Sequence, residues 1–350
     1  MHNPTIAHIA PHCHAVLPIL YSFRRCPYAM RARWTLLEAG LLVQWREIAL
    51  KAKPTEMLQA SPKGTVPVLV LPEGDVIEES VAVMHWALDQ ADPRHLRVGS
   101  DPDPLIREND GALKHHLDRF KYTDRYPGES REQHQQAGLV ILHRWASCIA
   151  RNGWLQGDRC SFADVALWPF VRQWRIADPQ AFDADPQLQP LHSWLNRFLK
   201  EPRCERLMQR AVPWSPGGQQ HLFPADAIPV PMDQPLFHLA LASDWQEAQQ
   251  QGSYRISTRG LTLADVGFIH CSWREQVTAT YERFYADAGD VLLLEINPAL
   301  VQAPLRADAI PTGELFPHLY GPLPLTAVRE VSTVWSDALP RAEPASGRRR

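Results

Sequence analysis

Leu17-Pro18-Ile19-Leu20-Tyr21, followed by Cys26-Pro27-Tyr28-Ala29, is the stretch on which the fold turns. An apolar run of strand length leads into a segment with helical spacing. Pro27 suits the first helical position, where its missing N–H costs nothing, and that makes Cys26 the N-cap. Unpaired backbone N–H groups and the positive end of the helix dipole then face the sulfur and favour thiolate over thiol. Arg24 and Arg25 add nearby positive charge. The ordinary fate of a cysteine is a buried structural thiol. Strand, Cys-Pro and helix together point to a reactive one.

Working outward, residues 17–92 alternate strand-like and helix-like segments. Leu17–Phe23, Val43–Leu50, Val66–Leu71 and Asp75–Ile77 read as strands, the last two joined by a tight turn at Gly74. Tyr28–Ala39 reads as a helix with Met30, Trp34 and Leu37 on one face, ending at Gly40. Val81–Leu88 reads as another, capped by Ser80. The expected order is β-α-β-(α)-β-β-α. Strand signals vanish over 101–210, where Leu105–Tyr122, Arg131–Asn152, Phe162–Ile176 and Leu188–Leu199 carry helical patterns. Ser161-Phe162-Ala163-Asp164 is a capping-box start, with aspartate in place of Glu or Gln.

Eight prolines and glycines between Pro213 and Pro235 predict an extended linker. Beyond it, Leu236–Leu241, Phe268–Cys271, Val291–Ile296 and Ala327–Val334 read as strands. Ser243-Asp244-Trp245-Gln246 reads as a capping box opening a helix that stops at Gly252, and Arg274–Ala286 as a further helix. The fold class expected is therefore multidomain α/β. A flexible leader spans 1–15, an α/β domain 16–93, an all-helical domain 100–212, the linker 213–235, a small α+β domain 236–335, and a flexible tail 336–350.

A formal net charge of −3 over 350 residues, with no basic stripe, argues against a nucleic-acid partner. No apolar run approaches the roughly 20 residues of a membrane helix, and no secretory signal opens the chain. Six scattered cysteines, with no C-x-x-C pair, look like thiols of a cytoplasmic protein. His12-Cys13-His14 lacks further ligands at a metal-type spacing, so no metal is expected.

Cys26-Pro27-Tyr28-Ala29, Thr65-Val66-Pro67-Val68-Leu69, Glu79-Ser80 and Ser161-Phe162-Ala163-Asp164 together resemble the glutathione transferase family over roughly residues 17–212. The resemblance implies a thioredoxin-like domain followed by a helical one, with glutathione as co-substrate. It implies a cis Val66–Pro67 bond whose Val66 backbone groups pair with the cysteinyl part of glutathione. Ser80 would hold the γ-glutamyl carboxylate at a positive helix end. Glu79 would meet the γ-glutamyl ammonium, and Lys53, with Lys63 competing, the glycine carboxylate. Trp34, Tyr122, Tyr126 and Trp168 are candidates for the wall of a second-substrate cleft, and Ser22 and Tyr21 for contacts with the thiolate. A cysteine where many members carry tyrosine or serine is similar to the omega-like and glutaredoxin-like branches. There the thiolate forms a mixed disulfide. Ala29 stands where a dithiol glutaredoxin has its second cysteine. The implied chemistry is deglutathionylation, or reduction of dehydroascorbate- or quinone-type substrates, on a small electrophilic or disulfide partner. Homodimerisation is implied by the same resemblance.

Phe237-His238, Gly252-Ser253-Tyr254, Gly267-Phe268-Ile269-His270-Cys271-Ser272, Gln276 and Phe316-Pro317-His318-Leu319-Tyr320-Gly321-Pro322-Leu323 resemble a bacterial family, the domain of unknown function 952. Its fold is similar to that of ADP-ribosyltransferases, which implies a ribose-holding role for His238 and a nicotinamide-stacking role for Tyr254. His238, Tyr254, His270, Ser272, His318 and Tyr320 are the candidate pocket. Glu314 is the nearest acidic group to the final motif, and the three histidines are alternatively structural. Two functional classes stay open: a thiol transferase with Cys26 as nucleophile, and a non-catalytic glutathione-binding scaffold for a nucleotide-binding or ADP-ribosyltransferase-like C-terminal domain.

Overall fold

The structure is a computed structural model that describes residues 16–97 and 103–334. The expected leader and tail, and His12-Cys13-His14, lie outside the described residues. The chain starts with β1 (Ile19–Ser22), α1 (Pro27–Glu38), β2 (Val43–Glu47), α2 (Thr55–Ala60), β3 (Val68–Val70), β4 (Val76–Glu78) and α3 (Ser80–Gln90). β1 pairs parallel with β2 and antiparallel with β3, and β3 antiparallel with β4. Parallel pairing of β1 and β2 needs a crossover, which α1 supplies. Gly74, at φ +97°, closes the turn between β3 and β4. α1 ends at Ala39, and Gly40 follows at φ +70°.

Ser80 is the first helical residue of α3, not its cap. Glu79 holds the cap position at φ +65°, and its side chain makes no capping bond. The Ser80 hydroxyl is instead committed to Arg31.

The second region contains α4 (Pro104–Glu108), α5 (Lys114–Lys121), α6 (Arg131–Asn152), α7 (Phe162–Ala177), α8 (Pro179–Ala184), α9 (Gln189–Leu199) and α10 (Pro202–Met208). The single helix expected over Leu105–Tyr122 is divided by a π-helical turn at Asn109–Leu113, a widening that often marks functional sites. The Ser161–Asp164 capping box forms as expected. Asp164 also accepts from Leu155 N and Trp194 Nε1, so its carboxylate is structural. α1 packs between α3 and α7. Its Trp34 meets Trp168 and Phe198, so one apolar core runs through both regions.

The proline-rich stretch does more than span a gap. β5 (His221–Phe223) pairs antiparallel with β2 and extends the first sheet to the order β4-β3-β1-β2-β5. β6 (Ala227–Pro229), three residues on, pairs with a strand of the C-terminal module. Strands this short, broken by proline, carry too little pattern to be read in sequence.

The C-terminal module continues with β7 (Leu236–Leu241), α11 (Ala242–Gln251), β8 (Ser253–Tyr254), β9 (Ile256–Thr258), β10 (Leu261–Thr262), α12 (Leu263–Val266), β11 (Ile269–His270), α13 (Val277–Phe284), β12 (Val291–Ile296), β13 (Leu305–Ala309), β14 (Leu315–Leu319), β15 (Leu323–Pro324) and β16 (Val328–Thr333). Two sheets, β11-β14-β13-β6 and β16-β12-β7, dominate it. Ser243 is not a cap: β7 runs straight into α11, Leu241 takes the N-cap position, and Ala242 N bonds to Asp290 O. The helix expected over Arg274–Ala286 begins as a 3-10 turn before α13.

The two halves touch through specific groups. Arg306 Nη1 donates to Leu41 O at 3.1 Å, and Arg206 Nη1 meets Asp308 at 2.9 Å. The Tyr320 side chain lies against Gly40 so closely that a Cβ there would fall 1.9 Å from its Cγ.

Candidate functional site

Cys26 occupies the N-cap of α1, in extended conformation (φ −72°, ψ 123°), with Pro27 next. Its Sγ is half-buried and lies 3.8 Å from Val66 O. Burial pushes the thiol pKa up. The backbone N–H groups of Ala29 and Tyr28 oppose that, followed by the charges of Arg33 and Lys114. The helix-end field expected from the sequence is thus present, but desolvation is the larger effect. The opposing cations also differ from those expected. Arg24 turns its backbone N–H to Glu47, while buried Arg33 and Lys114 of α5 act on the sulfur. Tyr21 OH is held by Arg46 at 2.5 Å. Ser22 is buried with its hydroxyl unpartnered among the described residues.

The Val66–Pro67 peptide is cis, and Val66 O faces the Cys26 sulfur. Ser80 is buried and accepts from Arg31 Nε at 2.9 Å. Arg31, itself 1% exposed, spends its other two nitrogens on Asp110 in the π-turn, at 2.9 and 2.6 Å. The two parallel bonds form a fixed fork. Arg31 also stacks over Tyr28 and Phe170. Glu79 is exposed and paired with Lys63 at 3.2 Å, which also meets Glu78. Lys53 is exposed and packs its chain near Gly64. Lys63, rather than Lys53, therefore reaches the acidic side of the site.

Trp34 and Trp168 are buried core residues, not cleft walls. Tyr122 is exposed beside Lys121 and Arg125, and Tyr126 lies under Arg119. Sequence reasoning missed Arg31, Asp110, Arg33 and Lys114. The signal for Arg31 and Arg33 was two arginines on an otherwise apolar helix, which must be paired when buried.

In the C-terminal module, five of the six candidate residues join one hydrogen-bonded chain. His238 Nδ1 lies 2.7 Å from His270 O, and a carbonyl only accepts, so Nδ1 carries the proton. Nε2 then accepts from Tyr254 OH at 3.0 Å. Burial holds His238 neutral, with its pKa lowered to about 4. His318 Nδ1 donates to Asp308 at 3.1 Å, so its Nε2 accepts from His270 Nδ1 at 3.2 Å. Burial lowers His270 to about 3. Asp308 lies well below the carboxylate range: burial is the largest single effect and pushes it up, but Arg306, His318 and Arg206 together outweigh it. Tyr320 OH donates to Asp308 at 2.6 Å, and Arg306 Nη2 donates to Tyr320 OH at 2.8 Å. Ser272 stands apart, its hydroxyl on Thr280 and its backbone paired with Phe237. Glu314 accepts from Gln276 and does not reach the histidines.

A cavity of about 350 Å³ does exist in this module, lined by Phe237, Arg274, Leu293, Glu295 and Glu330 among others. None of the six candidates lines it. Phe237 and His238 are successive on β7 and so point to opposite faces.

Residues 20–95 match the family profile of the glutathione S-transferase N-terminal domain, and residues 239–331 that of a protein of unknown function, DUF952. Glutathione S-transferase omega-1 of Sus scrofa is 26% identical over 200 residues, covering 54% of this chain and 79% of that protein. Pyrimidodiazepine synthase of Drosophila melanogaster is 28% identical over 197 residues, covering 52% and 77%. Among solved structures, glutathione transferase Omega 3C from Trametes versicolor superposes with a TM-score of 0.47 at 19% identity, covering 57% of this chain and 85% of that one. The chain is a fusion of a glutathione S-transferase-family region with a DUF952 domain.

Proposed function

We propose that this chain is a glutathione-dependent thiol transferase with Cys26 as its nucleophile. The observation that carries the reading is the Cys26 sulfur at a helix N-cap, 3.8 Å from the Val66 carbonyl. A peptide-like thiol lying along Val66 in strand fashion would bring its own sulfur against Cys26. Ser80, with the Arg31 charge behind it, suits a carboxylate at the start of α3. Glu79, at the adjacent position, suits an ammonium. Lys63 and Lys53 are the cations available to a second carboxylate. The relatives named glutathione S-transferase omega-1 support glutathione as the co-substrate.

The chemistry follows from a single thiol. The Cys26 thiolate attacks the glutathionyl sulfur of a mixed disulfide R–S–S–G, forming Cys26–S–S–G and releasing RS⁻. A glutathione thiolate then attacks the same glutathionyl sulfur, giving oxidised glutathione and returning Cys26 as thiolate. Ala29 offers no second thiol, so the resolving sulfur comes from solution. Ala29 and Tyr28 N–H and the charges of Arg33 and Lys114 stabilise the thiolate in both leaving and attacking roles.

The test is mass spectrometry after incubation with oxidised glutathione, together with turnover on a glutathionylated disulfide. One adduct, at Cys26 and missing from Cys26→Ser, with turnover lost in that variant, is the expected result. Unchanged turnover in Cys26→Ser overturns the reading. The upward push of burial on the Cys26 thiol favours a second reading, a glutathione-holding scaffold. Retention on immobilised glutathione with no adduct and no turnover in the unaltered chain would select it.

A further inference from the structure

His115 and His116 of α5 and His134 of α6 face one another on the helical region, and none of the three is among the residues assigned above. Their ring centroids are 5.1, 5.5 and 5.2 Å apart. One ligand nitrogen from each lies within 4.8 Å of the other two. His116 Nδ1 and His134 Nδ1 are 2.9 Å apart. A tetrahedral ion with nitrogen ligands at about 2.0–2.1 Å needs them roughly 3.4 Å from each other. The three side chains are exposed or half-buried, which leaves them room for the rotations that spacing requires.

The orientation of His134 is set from behind. Its Nε2 lies 2.9 Å from Glu129 Oε2, the oxygen that also receives Arg119 Nε at 2.7 Å. A carboxylate held by a guanidinium is ionised and only accepts, so His134 Nε2 carries the proton. The lone pair is then on Nδ1, the atom aimed at the cluster. A carboxylate holding the far nitrogen of a ligating imidazole is the usual support of a histidine–metal bond.

We propose that His115, His116 and His134 form a binding site for a divalent transition-metal ion, with Glu129 and Arg119 as positioning residues. Three imidazoles and an open side suit zinc, nickel or copper(II) rather than magnesium or calcium, which take oxygen ligands. The ion ties α5 to α6. Lys114, next to His115, places its ammonium 5.9 Å from the Tyr28 ring and acts on Cys26. The metal therefore braces the helix that carries a cation of the thiol site, and its binding does not depend on glutathione chemistry.

The probe is nickel(II), titrated calorimetrically into the full, untagged chain. One equivalent is expected to bind with a Kd below about 10 µM, weakened roughly a hundredfold in His116→Gln and in His134→Gln, and ten- to a hundredfold in Glu129→Gln. Metal-free melting curves of each variant check the fold. His115→Gln, at an exposed position, serves where the others melt early. Copper(II) bound at one equivalent should show nitrogen superhyperfine splitting that loses one nitrogen in each histidine variant. No binding tighter than about 100 µM, or a titration unchanged in folded His116→Gln and His134→Gln, overturns the proposal.

Discussion

Gly40→Ala tests how firmly the DUF952 module is seated on the transferase region. Gly40 closes α1 at φ +70°, where an alanine pays about 1–2 kcal/mol for the left-handed backbone. The new Cβ would also lie 1.9, 2.3 and 2.4 Å from Cγ, Cδ2 and Cβ of Tyr320. Tyr320 cannot swing aside cheaply, because its hydroxyl is bonded to Asp308 and Arg306 and its side chain is buried. Overpacking of this kind costs about 1–3 kcal/mol. The sum is about 2–5 kcal/mol. Gly74→Ala is the control, since Gly74 has φ +97° and nothing within 4 Å of the added carbon. It should cost only the backbone part, about 1–2 kcal/mol. Urea-unfolding curves of the full chain, followed by tryptophan fluorescence, measure both. Limited proteolysis should show earlier cutting of the C-terminal module in Gly40→Ala alone. If Gly40→Ala is no more destabilising than Gly74→Ala, the Tyr320 contact does not hold the modules together.

Two further outcomes follow from the charges. His238 is neutral in the fold, with its pKa lowered from 6.5 to about 4, so the unfolded chain binds the extra proton as pH falls. The associated stability is complete above about pH 6.5 and declines below it, by about 2 kcal/mol at pH 5. His238→Gln should flatten that part of the acid-destabilisation curve, measured by thermal melting at pH 7.5 and 5. An identical acid slope in the variant contradicts the assignment. Lys114→Met removes a charge that lowers the Cys26 pKa and leaves Asp118, its partner, unneutralised. Iodoacetamide should alkylate Cys26 about threefold more slowly at pH 7 in this variant, and an unchanged or faster rate refutes the role of Lys114.

The legible parts of this chain are those with local signatures. Cys-Pro at a helix start, the Ser161–Asp164 capping box and the 22 residues of α6 were readable to within a residue because each is decided by neighbours in sequence. Arg31 was not, because its partners Ser80 and Asp110 are 49 and 79 positions away. The π-turn that presents Asp110 leaves no mark in a helical pattern. Cys26 does stand at the N-cap of α1, yet its environment was judged from the helix end and the neighbouring Arg24 and Arg25, and burial weighs more. In the C-terminal module the motif histidines do gather. Their use depends on Asp308, 10 residues from His318 and outside every motif, which fixes the direction of the protons. The candidate site there is an internal hydrogen-bonded chain, and the open cavity belongs to the other face of β7.

The short strand β5 has a bearing on where this protein can be divided. It covers the outer edge of β2, whose N–H and C=O groups would otherwise be open to any passing strand. β6, a few residues later, does the same service for β13. Each half thus has its own selvedge, and the backbone that joins the two strands is the Pro224–Asp226 segment. A fragment ending near residue 212, where the helices stop, would have a raw edge and a tendency to felt into aggregates. One ending at Phe223 would keep its hem.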